Sequence, residues 1–343
     1  MIKIGKRKIS SNNKPLIVAE VGINHFGSLK LAKKIVDQIK KCGAEAVKVQ
    51  IHIPDEEMSE EAKKIKPGNS NKNIYKIIKE NSLNLNEELK LKKYIEKKNL
   101  IYIATPFSFA AADWLNKNKI KIFKIGSGEC NNLPLIKHVS KFKKPMIVST
   151  GMNSIKSISK TVQVLNKEKI PHILLHCVNL YPVDYDLIRL NRILLLKKKF
   201  PKSLIGYSDH SIGNAIPIAA MGLGAKLVEK HFVISKKRKG PDVICSMDSS
   251  ELKELLDVSK KIHASLNSIK DIIEEENVTR KFAFHSVVSN SNISKGEKFS
   301  KENLTTKRPG TGYFPASEIY SLYGKTSKRN IKKNRLIGKN DIQ

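Results

Sequence analysis

Eight short apolar runs punctuate the first two thirds of the chain. They are PLIVAEVG (15–22), AEAVKVQI (45–51 at its core), LIYIATPF (100–107), KIFKIGSG (121–128), PMIVSTG (145–151), HILLHCVN (172–179), LIGYSDH (204–210) and AKLVEKHF (225–232). Near-continuous apolarity over so few residues is the pattern of a parallel strand buried on both faces. Between the runs lie segments with helical spacing, among them LKLAKKIVDQIKKCG (29–43), EELKLKKYIEKKN (87–99) and SIKSISKTVQVLNKE (154–168). Gly43, Gly151 and Gly224 fall at the joins, where helix caps and tight turns favour glycine. Alternating strand and helix predicts a parallel sheet, and eight repeats predict closure into a (β/α)8 barrel. A doubly wound open sheet is the alternative; the count of eight and the absence of a G-x-G-x-x-G fingerprint speak against it.

The pattern changes after a helix predicted at 250–266. The stretch SIKDIIEEENVTRK (268–281) is polar and reads as a linker, and residues 282–312 carry short β-like pieces with Pro-Gly punctuation. The expected organisation is therefore a barrel over 1–267, a linker over 268–281 and a small domain over 282–343. A domain of that size has little core of its own and gains stability by docking or dimerising.

Composition modifies this picture in three places. The formal net charge of the 343-residue chain is +32, which raises nucleic-acid binding as a class. The lysines are scattered among Asn and Ile, with no basic block interleaved with aromatics, so a compositional bias explains the charge and no nucleic-acid partner is expected. No apolar run approaches the roughly 20 residues that span a bilayer. The N-terminal MIKIGKRKIS lacks the apolar stretch of a signal peptide, so no membrane partner and a cytoplasmic location are expected. The four cysteines form no C-x-x-C pair, and a disulfide framework is not expected.

Barrel enzymes carry their chemistry at the C-terminal ends of the strands. Here those ends hold Glu20; Lys48 and Gln50; Thr105; Lys124, Ser127 and Glu129; Ser149 and Thr150; His176 and Asn179; Ser208 and His210; Glu229 and His231. Residues two apart share one face of a strand, so Lys48 with Gln50, Ser208 with His210 and Glu229 with His231 form same-face pairs. Two lysines in a barrel mouth are costly unless they meet negative charge. Lys48 and Lys124 thus point to a phosphate- or carboxylate-bearing ligand, or to internal pairing with Glu20 or Glu129, or to a Schiff-base lysine of an aldolase. His210 and His231 end adjacent strands in the expected barrel, where two imidazoles suit a divalent transition metal or serve as hydrogen-bonded core residues. Asp242, in GPDVICSMD (240–248), presents a carboxylate to a polyol or caps the following helix.

These stretches, in this order, resemble the bacterial N-acetylneuraminate (sialic acid) synthase family. The resemblance rests on AEVGINHFGSL (19–29), KVQIHIPDEEMSEEAKKIKPGN (48–69), FKIGSGECNNLPLIK (123–137), STGMNSI (149–155), NLYP (179–182), YSDH (207–210), EKHF (229–232), GPDVICSMD and KRPGTG (307–312). It implies a TIM barrel followed by an antifreeze-like (SAF, β-clip-type) domain. The implied activity is condensation of phosphoenolpyruvate with N-acetylmannosamine and water, releasing phosphate; a legionaminate or pseudaminate synthase acting on a diacetamido sugar is the alternative. The resemblance puts Lys48, Thr105, Lys124, Ser127, Ser149, Asn179 and Ser208 on phosphoenolpyruvate. It puts Gln50, Glu129, Tyr181, Asp242, Phe282 and Arg308 on the sugar. Glu20, Lys48 and Lys124 are the implied catalytic residues, with Glu20 positioning water. His210 and His231 are the implied ligands of a divalent metal, Mn2+ first, with Mg2+ or Co2+ as alternatives. A domain-swapped homodimer is implied too, in which Arg308 reaches the partner's site. The chain departs from the family at Val49, where His is frequent, at Val183-Asp184 in place of Thr-Pro, and at Phe109 in place of Arg.

Overall fold

A computed structural model describes residues 1–5, 7–67, 71–266 and 272–343. The chain divides into two compact units, Met1–Ser268 and Ile269–Gln343. The first is a closed barrel of eight parallel strands: β1 (Leu16–Glu20), β2 (Ala46–Ile51), β3 (Ile101–Pro106), β4 (Phe123–Ile125), β5 (Met146–Ser149), β6 (His172–Cys177), β7 (Leu204–Asp209) and β8 (Leu227–His231). They follow one another in sequence order and β8 closes on β1. All eight predicted runs are strands of this barrel.

Alternation along each strand sorts the side chains into two layers. Ile17, Ala19, Val47, Val49, Tyr102, Ala104, Phe123, Ile125, Val148 and Val228 pack outward against the helices. The departure at Val49 is thus on the helix side and away from the lumen. Leu16, Val18, Ala46, Ile103, Ile122, Ile147, Ile173, Leu175 and Leu227 fill the barrel from within. Two short antiparallel strands at the N-terminus, Ile2–Ile4 and Arg7–Ile9, add Ile2, Ile4 and Ile9 to that inner cluster. They close the end of the barrel where the strands begin.

Two residues beyond six of these inner apolar positions, the same lumenal face turns polar. Val18 is followed by Glu20, Ala46 by Lys48, Ile103 by Thr105, Ile122 by Lys124, Ile147 by Ser149 and Leu227 by Glu229. Burial of the lower layer fixes the register, and the register delivers six polar groups to one level of the lumen.

The second unit pairs β9 (Ser286–Ser289) with β10 (Leu304–Lys307) in antiparallel fashion. Its core is Val287, Ile293, Phe299, Leu304, Ile319, Leu322, Ile331 and Ile337. The expected boundary at 267 and residues 268–271 of the expected linker lie outside the described residues. The remainder of that stretch is not irregular: a 3-10 turn at Glu274–Glu276 leads into a helix, Asn277–Ala283. The stretch has no Gly or Pro to break it, and three glutamates at its start favour the positive end of the helix dipole. No residue of this helix is buried. Among the described residues, no helix is long and apolar enough to cross a membrane.

Candidate active site

Four buried charges form the centre of the mouth. Lys48 Nζ lies 2.9 Å from Glu20 Oε2 and 3.6 Å from Glu229 Oε1. Lys124 Nζ reaches the same Glu229 oxygen at 3.2 Å, so Glu229 bridges the lysines across the lumen. Internal pairing of the lysines therefore exists, but Lys124 takes Glu229 and not Glu129. Neutral donors complete the ring: Lys48 donates to Thr105 Oγ1 at 3.2 Å and Ser208 Oγ to Glu229 Oε1 at 3.4 Å.

Burial and charge pull these groups apart in acidity. Burial pushes Glu229 up, yet the two ammoniums outweigh it and hold its carboxyl at about 2. For Glu20 burial wins over the attraction of Lys48, and its pKa rises to about 7. Burial opposes the charge of Lys48, but pairing with both glutamates leaves its pKa raised. Lys124, with one partner and a neighbouring ammonium, is dominated by burial and lowered. Two lysines and two glutamates balance; once Glu20 holds a proton the cluster carries one positive charge in excess, a setting that receives an anion.

Beside this cluster the loop after β5 comes close to the loops after β4 and β6. Gly151 N donates to Ser127 Oγ at 3.1 Å. A Cβ on Gly151 would fall 1.9 Å from Asn179 Oδ1 and 2.8 Å from Ser127 Oγ. The glycine is thus what lets a backbone N–H, a hydroxyl and an amide share one small cradle. Ser149, 2 % exposed, keeps its Oγ without a partner at the same level. A hydroxyl at this position can donate one hydrogen bond to a ligand oxygen.

On the other side stand the histidines. His210 Nδ1 donates to Val178 O at 2.7 Å, which leaves the lone pair on Nε2. The His231 ring centroid is 5.7 Å away, and its Nδ1 is buried without a hydrogen-bond partner, 3.5 Å from Asp242 Oδ2. Burial drives His210 down to about 4 and His231 to about 3, so both imidazoles are neutral at ordinary pH. Among the described residues, no three His, Cys, Asp or Glu side chains converge as a complete metal-binding set. Two neutral imidazoles with lone pairs to spare nevertheless have the donor chemistry to ligate a divalent cation. Tyr181 packs its ring 4.0 Å from that of His210. Gly22, at φ +50°, brings the backbone close enough that a Cβ there would lie 3.0 Å from His231 Nδ1 and 3.2 Å from Asp242 Oδ2. Burial raises both Asp242 and Glu129, and Glu129 Oε2 is buried without a partner.

Phe282 and Arg308 belong to the second unit. Phe282 is exposed, and Arg308 Nε donates to Ala283 O at 3.2 Å. Four residues of the mouth were given no role by the sequence, Glu229 among them although its place at a strand end beside His231 was noted. Glu229 is the hub of the charge cluster. His52 and Glu57 sit just beyond β2, with His52 two residues past Gln50 on the same face. Cys177 is a fully buried thiol pushed up to about 11 by burial. A buried ion pair, Lys230 with Asp209, was also passed over. It lies on the outer face of β7 and β8, where Tyr207 OH, Ser211 Oγ and Ser211 O complete its hydrogen bonds, and its role there is to join strands.

The site is thus a polar lumen of opposed lysines and glutamates over an apolar floor, with the chemistry to suit an anionic ligand. Residues 35–271 match the NeuB family and residues 285–343 the SAF domain. The chain belongs to the NeuB family. It is 37 % identical over 332 residues to the N,N'-diacetyllegionaminic acid synthase of Campylobacter jejuni, covering 94 % of this chain and 99 % of that protein. It is 30 % identical over 324 residues to human N-acetylneuraminate-9-phosphate synthase, covering 93 % and 90 %. Among solved structures, it matches the N-acetylneuraminic acid (sialic acid) synthetase of Leptospira borgpetersenii in complex with citrate, with a TM-score of 0.74 and 32 % identity over 81 % of this chain and 94 % of that one.

Proposed function

We propose that this protein condenses phosphoenolpyruvate with an open-chain N-acyl hexosamine, N-acetylmannosamine first, to give a nine-carbon sugar acid and phosphate. The observation that carries the proposal is the buried Lys48–Glu229–Lys124 bridge beside the Gly151 cradle. Lys48, Lys124, Thr105 and Ser208 hold the carboxylate and phosphate of phosphoenolpyruvate, and Ser127, Ser149 and Asn179 supply neutral donors. C3 of phosphoenolpyruvate forms the new C–C bond at the sugar aldehyde carbon. Water, held by Glu20, adds to C2, and the tetrahedral carbon expels phosphate. Gln50, Glu129, Tyr181 and Asp242 face the sugar. A divalent cation held by His210 and His231, Mn2+ in this proposal, would supply Lewis-acid polarisation of the sugar carbonyl.

The sugar discriminates between two forms of this function, because the Campylobacter relative is named for a diacetamido product. Incubating the protein with phosphoenolpyruvate and each candidate sugar, then following phosphate release, decides the question. We expect kcat/KM for N-acetylmannosamine to exceed that for the diacetamido hexose by about tenfold or more. The reverse order assigns a legionaminate- or pseudaminate-type acceptor, and the rest of the account stands.

The small domain enters the proposal through a swapped homodimer in which Arg308 and Phe282 serve the partner's sugar site. Arg308→Ala should raise KM for the sugar about tenfold, leave KM for phosphoenolpyruvate within about twofold and leave the melting temperature unchanged. Equal effects on the two substrates, or none on either, would remove Arg308 from the sugar site.

A further inference from the structure

Beyond the barrel rim, β2 runs on into His52, and a hydrogen-bonded chain leads from there to Glu20. His52 Nδ1 lies 2.9 and 3.0 Å from the two carboxylate oxygens of Glu57. On the other side of the ring, Nε2 is 3.1 Å from Gln50 Oε1. Gln50 Nε2 in turn donates to Glu20 Oε1 at 2.9 Å. The buried imidazole is stacked flat on Phe107, with centroids 4.3 Å apart and 9° between the planes. The imidazole is therefore held in place by packing as well as by hydrogen bonds.

Donor counting sets the proton positions. A carboxylate only accepts, so His52 Nδ1 carries a hydrogen toward Glu57. The Gln50 NH2 is committed to Glu20, so the Gln50 carbonyl oxygen must accept, and His52 Nε2 carries a hydrogen as well. Both ring nitrogens of His52 thus face oxygen acceptors, with Glu57 on the Nδ1 side and Gln50 on the Nε2 side. Turning the Gln50 amide through half a revolution would set its oxygen against a Glu20 oxygen and its NH2 against an N–H. With Glu20 ionised, only one orientation satisfies every group, and the His52–Glu57 pair is what selects it.

We infer that His52 and Glu57 are positioning residues for the reaction: they lock the Gln50 amide so that its NH2 grips Glu20 Oε1 and leaves the other carboxylate oxygen on Lys48. His25 and Asp242 also act on His52 through space, and Glu129 acts on Glu57, but the bonded path to Glu20 passes through Gln50. The inference rests on the functional reading above for its kinetic consequence, and on hydrogen-bond geometry alone for its structural one.

The two are tested separately. The chain has four glutamines, Gln38, Gln50, Gln163 and Gln343, so 15N-labelled glutamine yields a short list of side-chain amide signals. The Gln50 pair is assigned by its loss in Gln50→Leu. In the unaltered protein we expect the Gln50 amide protons to exchange with solvent about tenfold or more slowly than those of exposed Gln163. His52→Phe keeps the stack on Phe107 but has no donor, and should abolish that protection. His52→Gln, which offers an amide N–H near the position of Nε2, should restore most of it, and Glu57→Gln should give an intermediate loss. In kinetics, His52→Phe should lower kcat by about 10- to 100-fold with KM for phosphoenolpyruvate held within about twofold, and His52→Gln should recover activity. Unchanged Gln50 protection in His52→Phe overturns the inference, and so does lost protection with an unchanged kcat. An unaltered protein that condenses none of the sugars would overturn the functional reading instead, while the amide measurement still decides whether His52 orients Gln50.

Discussion

Replacing Lys124 with Met is expected to lower kcat/KM for phosphoenolpyruvate by about 10³-fold, roughly 4 kcal/mol of lost stabilisation. The side chain is 3 % exposed and its ammonium lies 3.2 Å from Glu229. Met fills nearly the same volume but supplies no charge, so the anionic substrate loses one of its two buried cations. The change also costs stability, because Glu229 is left with Lys48 at 3.6 Å as its one remaining ammonium. Breaking one partner of a buried pair costs about 3–5 kcal/mol. The double substitution Lys124→Met, Glu229→Gln separates the effects. It removes the orphaned charge and should recover most of the melting temperature, while kcat/KM stays as low as in the single variant. Thermal melts and steady-state kinetics on the two proteins make the check. A double variant that regains activity along with stability would show that Lys124 is a structural residue.

The second large effect is expected at the histidines. Stripping divalent metal from the purified protein should lower kcat by about 10³-fold, with recovery on adding Mn2+. His210→Ala should bind no Mn2+ in a direct titration. The basis is the hydrogen bond from His210 Nδ1 to Val178 O, which leaves the lone pair on Nε2, with the His231 ring 5.7 Å away. Both rings are held neutral by burial, near pKa 4 for His210 and 3 for His231, so no proton has to leave before a cation binds. Metal binding should therefore persist to about pH 5, lower than for exposed histidines, whose ordinary pKa lies near 6.5. Full activity in protein shown by elemental analysis to carry no divalent metal would end the metal assignment. A Schiff-base mechanism would add a further signature, trapping of Lys48 or Lys124 by borohydride in the presence of substrate, which we expect to be absent.

The barrel was legible because eight short apolar runs alternate with segments of helical spacing, the pattern of parallel strands buried on both faces. Counting those runs also located the lumenal polar residues, since an inward Val18 or Ile122 dictates an inward Glu20 or Lys124 two positions later. The short N-terminal strands were not legible. Each buries one face only, and lysines and an arginine separate Ile2, Ile4 and Ile9. The helix Asn277–Ala283 buries nothing, so it lacks the periodic apolar face by which helices are recognised.

Partnerships across the lumen were the other gap. Glu129 stands five residues after Lys124 and looks like its natural counter-ion. The barrel instead sets β4 opposite β8, so Glu229 meets Lys124 from 105 residues away. Such pairings follow from strand stagger in a closed sheet, which no local pattern encodes. His52 was hidden for a related reason: it lies one residue beyond β2, and its importance comes from Glu57 folding back onto it.

The central claim is that the mouth joins two substrates and expels phosphate in a single coupled reaction. Its most direct test is to measure phosphate and 2-oxo acid product together, in the presence of Mn2+, with phosphoenolpyruvate and N-acetylmannosamine or the diacetamido sugar. Both products are expected in a one-to-one ratio and only when a sugar is present. Phosphate release without sugar, or no release with any N-acyl sugar, would contradict it.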